Sequence, residues 1–270
     1  MKFAALGAIY NGDQPQYLNE CLYSLSAQTR KIPIYIVVDG PINPNLEKVI
    51  KTHNSLDIVY FRLKDNVGLA KSLAHVIRHI GSEFDYLIRF DADDVNHIER
   101  FEVMINFIKK NRPDLVSSHM NEIDDKSIIF SRKVVPVDPK DIKRVFPYRN
   151  PINHPASAFN VKSVIDSGGY KEMPFFEDYY LWARMYHRDF KIMNIDKTLV
   201  NFRATELMLN RRYGFAHFKD ELHFIRTINN EGIFSAYQNF LSLTLRAISK
   251  LFGFKIYKYL YFSLREKPNN

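Results

Sequence analysis

The sequence predicts an α/β fold, a largely parallel sheet with helices on both faces, and two observations carry that prediction. Strand-like and helix-like segments alternate from Phe3 to Phe90, the order a parallel sheet imposes because each return to the same edge needs a helical crossover. The apolar run 84–90 then ends in Asp91-Ala92-Asp93-Asp94. One strand thus delivers three carboxylates to its own carboxyl end, where open α/β sheets form their ligand crevice.

Phe3–Tyr10 is apolar and β-prone, the first strand; residues 17–27 carry Leu18, Leu22 and Leu25 at helical spacing. Residues 34–38 form a second strand closed by Asp39-Gly40-Pro41. A helix over 45–52, a strand over 57–63, the helix Leu69–Ile80 and a strand over 86–90 continue the alternation. From about residue 112 the pattern loosens into strands over 114–118 and 128–135, then loops rich in Pro136, Pro139, Pro147, Pro151 and Pro155. No linker interrupts the chain before about 215, so residues 1–215 read as one domain in two halves, about 1–111 and 112–215. Residues 216–270 read as a helical, basic extension.

With 46% hydrophobic and 25% charged residues in 270, the chain can bury a large core. One cysteine, Cys21, excludes an intramolecular disulfide and suits a reducing cytosol. Met1-Lys2 before the first apolar run mimics a signal peptide, but the run passes into Asn11-Gly12-Asp13 without a small-x-small cleavage pattern. No stretch reaches the ~20 apolar residues of a membrane helix. The net charge of +8 is uneven: residues 1–200 hold 27 Lys+Arg against 25 Asp+Glu, residues 201–270 hold 11 against 5. From 234 to 267 the tail sets Leu241, Leu245, Ile248 and Phe252 on one helical stripe among Arg246, Lys250, Lys255, Lys258, Arg265 and Lys267. Such a segment either lies on an anionic membrane surface or packs its stripe on the domain. No aromatic RNA-binding motif or helix-turn-helix accompanies the charge, so nucleic acid is not expected.

Residues two apart on a strand share a face with α-carbons roughly 6.6 Å apart, and where the strand bends Asp91 and Asp93 can converge on one hard cation. An ion held by one or two carboxylates keeps positions for waters and substrate phosphates, as Mg²⁺ does. The same acids also suit a solvated turn, with Asp94 capping the helical pattern that begins near Ile98. An EF-hand starting at Asp91 fails, because Val95 and Asn96 occupy its fifth and sixth positions. Phosphate-ester hydrolases usually end the first strand in acids, and Phe3–Tyr10 carries none. Gly7 and Gly12 lack the third glycine of a dinucleotide turn, no P-loop is present, and residues 3–15 lack the Gly-rich, basic opening of nucleotidyltransferases.

Six segments in order resemble the family 2 glycosyltransferases with the GT-A fold: Ala8-Ile9-Tyr10-Asn11, Gln28-Thr29, Val38-Asp39-Gly40, Asn66-Val67-Gly68-Leu69-Ala70-Lys71, Phe90-Asp91-Ala92-Asp93-Asp94 and Phe176-Glu177-Asp178-Tyr179-Tyr180-Leu181-Trp182. The resemblance covers roughly residues 2 to 215. It is strongest to bacterial enzymes of capsule, exopolysaccharide and O-antigen assembly, similar to amylovoran-type transferases, where Asn153-His154-Pro155 and Arg211-Arg212-Tyr213-Gly214 also have counterparts. Two departures touch the donor side: the first strand lacks the proline often found near its end in this family, and Ala8 stands where a hydroxyl residue is common.

The resemblance implies an inverting transfer from a nucleotide sugar, most often a UDP-sugar, to a hydroxyl of a growing glycan. Tyr10 then offers a face for a nucleobase, or is a rim aromatic. Asp39 accepts the N3 proton of uracil, or only shapes the Asp-Gly-Pro turn. Asn66 and Gly68 bring backbone near the nucleotide while Lys71 reaches its phosphates or base, unless they form a plain cap and turn. Asp93 is the implied direct ligand of Mn²⁺ or Mg²⁺, with Asp91 toward the ribose or a bound water, and the metal neutralises the departing UDP. Asp178 is the implied catalytic base, with Glu177 as fallback base or acceptor orienter; as a helix N-cap Asp178 would be structural. His154 would contact the acceptor or support the site, and Arg212 would bind the diphosphate. The halves become a nucleotide-binding half (1–111) and an acceptor-side half (112–215). For a polyprenyl-diphosphate-linked acceptor, the expected location is the cytoplasm, peripheral on the inner membrane through the basic tail. A non-catalytic nucleotide-sugar-binding or scaffold protein would keep Asp39 and Asp93 but not need Asp178, so the full set of acids favours an enzyme.

Overall fold

The structure, a computed structural model, describes residues 1–53, 56–251 and 253–267. Its first half follows the expected alternation: β1 (Phe3–Tyr10), α1 (Pro15–Ser26), β2 (Ile34–Asp39), α2 (Pro44–Thr52), β3 (Ile58–Arg62), α3 (Leu69–Ile80) and β4 (Tyr86–Arg89). Local chemistry sets several boundaries. Pro15 and Pro44 open their helices, where a missing N–H costs nothing, and the Asn43 side chain accepts from the amides of Asn45 and Leu46, both at 3.1 Å. Strands β3-β2-β1-β4 pair in parallel. Side chains of β1 alternate between two cores. Ala4 and Leu6 meet Leu73, Val76, Trp182 and Phe224 on one face; Ala5 and Ile9 meet Leu18, Leu22, Leu46 and Phe101 on the other.

The second half is mixed rather than parallel. It contains β5 (Val95–Asn96), α4 (Arg100–Asn111), β6 (Leu115–Ile123), β7 (Ile129–Lys133), α5 (Pro139–Val145), β8 (Ala158–Asn160), α6 (Val161–Asp166), α7 (Glu177–His187) and β9 (Ile192–Arg203). The sheet runs β3-β2-β1-β4-β8-β6-β9-β5, with β7 on β6. Strand β8 is antiparallel to both neighbours, while β6 and β9 are parallel with register shifts around His119.

The tail comprises α8 (Glu206–Arg211), α9 (Phe215–Asn230), α10 (Ala236–Leu251) and α11 (Phe254–Ser263). Phe224, Ile225, Ile228, Ile233 and Phe234 complete the core beside α7, and Glu266 exchanges both backbone hydrogen bonds with Arg132 on β7. The expected apolar stripe of α10 is corrected: Asn239 and Ser242 are buried, whereas Leu245 is 53% exposed. The domain presents polar partners there. Asn239 donates to the carbonyl of Phe234 and to Asn229, and the Arg246 guanidinium lies 5.5 to 5.9 Å from the ring centroids of Phe176, Tyr179 and Phe224. The side chains of Ile248, Lys250 and Phe252 lie outside the described residues. Among the described residues no helix is long and apolar enough to cross a membrane.

Candidate active site

Parallel register aligns the carboxyl ends of β1, β2 and β4: Tyr10 pairs with Asp39, and Leu6 with Arg89. Past those ends the chain gathers its acids. Asp91 pairs with the buried Arg89 guanidinium. Asp94 is not a helix cap, since α4 begins only at Arg100; it is buried, with one oxygen accepting from the Arg203 amide at 2.9 Å and the other without a partner. Asp13, which sequence reading missed, joins them three residues beyond β1 and accepts from the Tyr10 amide at 2.9 Å. Burial and the charges of Asp93 and Asp91 push Asp13 up to about 7. Burial and Asp91 push Asp93 up to about 6, and burial with Asp93 raises Asp94 well above the carboxylate range.

Carboxylates crowded until their charge is disfavoured form a donor set that a divalent cation relieves. Among the described residues no three His, Cys, Asp or Glu side chains are grouped to hold a metal by themselves. A hard cation there would need further oxygen ligands from outside the chain.

Arg203 at the end of β9 braces this loop. Its side chain is fully buried and donates to the carbonyls of Asp93 (3.0 Å) and Asp124 (2.7 Å), pairs with Glu20 at 2.7 Å and lies 4.0 Å from the Tyr17 ring centroid.

At the end of β2, Asp39 is buried and both its oxygens are engaged, by the amides of Val67 (2.8 Å) and Gly68 (2.9 Å). It therefore locks β2 to the loop before α3. Gly40, at φ +83°, is required there, because a Cβ would lie 2.6 Å from the Asn66 amide nitrogen. Asn66 lies at the loop's surface, its side-chain amide reaching the Asp39 carbonyl at 3.3 Å. Tyr10 is 42% exposed at the rim. Lys71 is instead paired with Glu172 at 2.8 Å, both exposed, a contact that contributes little.

A cavity of about 490 Å³ opens beside Asp91 and is lined by Glu177, Asp178, His154 and Arg212. Glu177 and Asp178 are the first two residues of α7; the N-cap is Phe176, so Asp178 is not the cap. Phe175 turns the chain into the helix with φ +64°, a conformation unusual for a bulky residue. The Asn150 side chain donates to Asp178 at 3.0 Å. Burial and Asp178 push Glu177 up to about 7. His154 is buried against the Tyr170 hydroxyl at 2.8 Å, and burial together with Arg89 pushes it down to about 4. It is a neutral wall residue. Arg212 follows α8 closely enough for its charge to act on Glu177. Tail residues Glu221, Arg246, Tyr257, Tyr261 and Arg265, and Lys133 of β7, also line the cavity; the sequence showed Arg246 and Arg265 only as part of a basic tail. For Asp13 a signal existed, since parallel strands place all their carboxyl ends on one edge.

The parallel first half, the mixed second half and acids at a crevice define the GT-A architecture. Residues 8–169 match the model of the glycosyl transferase family 2. The chain belongs to that family. It is 30% identical to the amylovoran biosynthesis glycosyltransferase AmsE of Erwinia amylovora, over 96% of this chain and 97% of that protein. It is 32% identical to the UDP-Gal:alpha-D-GlcNAc-diphosphoundecaprenol beta-1,3-galactosyltransferase of Escherichia coli, over 93% of this chain and 90% of that protein. The crystal structure of S. aureus TarS 1-349 in complex with UDP-GlcNAc superposes with a TM-score of 0.65 at 19% identity, covering 98% of this chain and 76% of that one.

Proposed function

We propose that this glycosyltransferase moves a hexosyl or N-acetylhexosaminyl group from a UDP-sugar, with inversion, to a hydroxyl of a growing, polyprenyl-diphosphate-linked surface glycan. The observation that carries the reading is the meeting, around one cavity, of the acid loop after β4 with Glu177 and Asp178 of α7. Tyr10, Asn66 and Gly68 line the donor approach, Asp39 holding their loop in place. Asp93 and Asp91 would hold Mn²⁺ or Mg²⁺, which supplies charge neutralisation for the leaving nucleoside diphosphate, and Arg212 adds a guanidinium on the same cavity. Asp178, oriented by Asn150, takes the proton of the acceptor hydroxyl. The hydroxyl oxygen bonds to the anomeric carbon as the bond from that carbon to the diphosphate oxygen breaks, and the electron pair leaves on UDP. Glu177 orients the acceptor beside it. The E. coli relative, whose name specifies UDP-Gal and a diphosphoundecaprenol acceptor, supports the choice of donor and acceptor classes.

The tail supports contact with the inner-membrane surface. Tyr237, Phe240 and Leu245 on α10, with Tyr259 on α11 and Leu264 just after it, expose between 53% and 72% of their area among basic residues, the composition of an interfacial helix pair.

The test is nucleoside diphosphate release from a panel of nucleotide sugars with Mn²⁺, with and without EDTA, using a lipid-diphosphate sugar acceptor. Metal-dependent release from one UDP-sugar, lost in Asp93→Ala and Asp178→Asn, is expected. UDP binding without turnover of any donor would instead make this a nucleotide-sugar-binding scaffold protein.

A further inference from the structure

The cavity has a second pole, built from cations. Lys133 ends β7, Arg212 follows α8 and Arg265 follows α11, and all three line the same cavity. The fully buried carboxylate among them, Glu122, is already shared: it accepts from Arg265 at 2.8 Å, from the Tyr261 hydroxyl at 2.7 Å, and from Ser131 on its other oxygen. Lys133 makes no ion pair with the described residues. Burial and the adjacent Arg265 push it down to about 7. A lysine so disfavoured as a cation stands where an arriving anion would be held strongly.

This pole differs from the acid pole in position as well as sign. Lys133 stands at the end of β7, separated from the end of β4 by β8 and β6, and Asp178, the base of the proposed reaction, lines the same cavity as Lys133 and Arg265. An inverting displacement places the leaving diphosphate and the attacking hydroxyl on opposite sides of the anomeric carbon. Anion-binding groups on the side of the base therefore face the acceptor.

We propose that Lys133 and Arg265 bind the diphosphate of the acceptor and so set which sugar hydroxyl reaches Asp178. The subsite rests on the transferase reading above, and it makes the tail part of the acceptor site, since Arg265 lies in it. Arg265 is preorganised by Glu122 and by the Tyr261 ring, 4.1 Å from its guanidinium.

Calorimetric titration of the full chain with methylenediphosphonate in EDTA tests this without catalysis. Binding to the wild type is expected, with a loss of at least about tenfold in Lys133→Met and partial retention in Arg265→Lys, which keeps the charge beside Glu122. Binding of UDP with Mn²⁺ should be unchanged in both variants. With a diphosphate-linked sugar acceptor, Lys133→Met should raise KM about tenfold, but not with the same sugar as a simple alkyl glycoside. Equal weakening of UDP and diphosphonate would assign the cations to the donor and overturn the subsite, as would diphosphonate binding that Lys133→Met leaves intact. Because the EDTA titration involves no turnover, the subsite and the transferase reading fail separately.

Discussion

The acid cluster that reaches the cavity through Asp91 and the cations that line it are electrostatic opposites assembled in opposite ways. The acid pole comes from the ends of neighbouring parallel strands, Asp13 after β1 and Asp91-Ala92-Asp93-Asp94 after β4. The cation pole comes from β7, the end of α8 and the segment after α11, far apart in the chain. Each is strained first by burial and then by neighbours of its own sign. Acids rise at one pole, and a lysine falls at the other. Neither state is favourable in the free protein, and each is relieved by a ligand of opposite charge, a divalent cation in one case and a diphosphate in the other. Strain of this kind belongs to sites built to bind.

The comparison breaks most sharply at Asp93. Asp93→Ala should lower turnover by roughly 10³-fold or more, as expected when transition-state charge loses its main stabiliser, and should abolish the Mn²⁺ dependence of UDP binding. Diphosphonate binding at the cation pole should survive. Steady-state UDP release and calorimetry check both, and simultaneous loss of the two would mean that the poles are one site.

Next comes the brace. Arg203→Met removes a buried guanidinium, leaving the partly exposed Glu20 without its cation and the carbonyls of Asp93 and Asp124 without a donor, so it should destabilise the fold by about 2 kcal/mol, in the range for a lost hydrogen bond to a charged group. Urea unfolding measures it. At denaturant concentrations where the variant is still folded, metal affinity should fall more than diphosphonate affinity, because Arg203 touches the acid loop and not Lys133.

The two poles also differ in how far the sequence discloses them. Helix Leu69–Ile80 and the strands around it are local patterns, with apolar residues at helical spacing or in short runs, and the acid loop is four contiguous residues. Strand β9 is different: its 12 residues interleave Asn194, Asp196, Lys197, Thr198 and Asn201 with apolar ones, and its pairing with β6 shifts register near His119, so no clean period survives. The contact of Glu122 with Arg265 spans 143 residues, and nothing local in either segment announces it. On α10 the apolar stripe misled, because tertiary partners such as Asn229, Glu221 and the rings of Phe176 and Tyr179 drew the polar face inward. Hydrophobic periodicity finds a buried face only when what it packs against is apolar.

That inversion yields a smaller effect on the tail. Replacing Tyr237, Phe240 and Leu245 together with Ser should leave stability within about 0.5 kcal/mol, as for exposed positions in general. Partition onto anionic liposomes should fall about tenfold. A variant that sediments with vesicles as well as the wild type would remove the membrane reading and leave the tail's role confined to the cation pole.

The finest distinction, between Glu177 and Lys133 on the cavity wall, is the sign of their pH dependence. Glu177 is held at about 7 in the folded chain, above its ordinary 4.5. Between those values the folded state keeps a proton that the unfolded state has lost, so stability falls as pH rises through the window and the full penalty applies above 7. Glu177→Gln should therefore raise thermal stability at pH 8, by roughly 1 kcal/mol after allowing for coupling to Asp178, and leave it unchanged at pH 4. Lys133 is the reverse, held at about 7 against an ordinary 10.5. In that window the unfolded chain binds the extra proton, so stability rises with pH and the penalty is complete below 7. Lys133→Met should stabilise most at pH 6 and progressively less toward pH 10. The gain in stability over the wild type should thus grow toward high pH for Glu177→Gln and toward low pH for Lys133→Met, and offsets independent of pH would show that the two groups carry no such opposed strain.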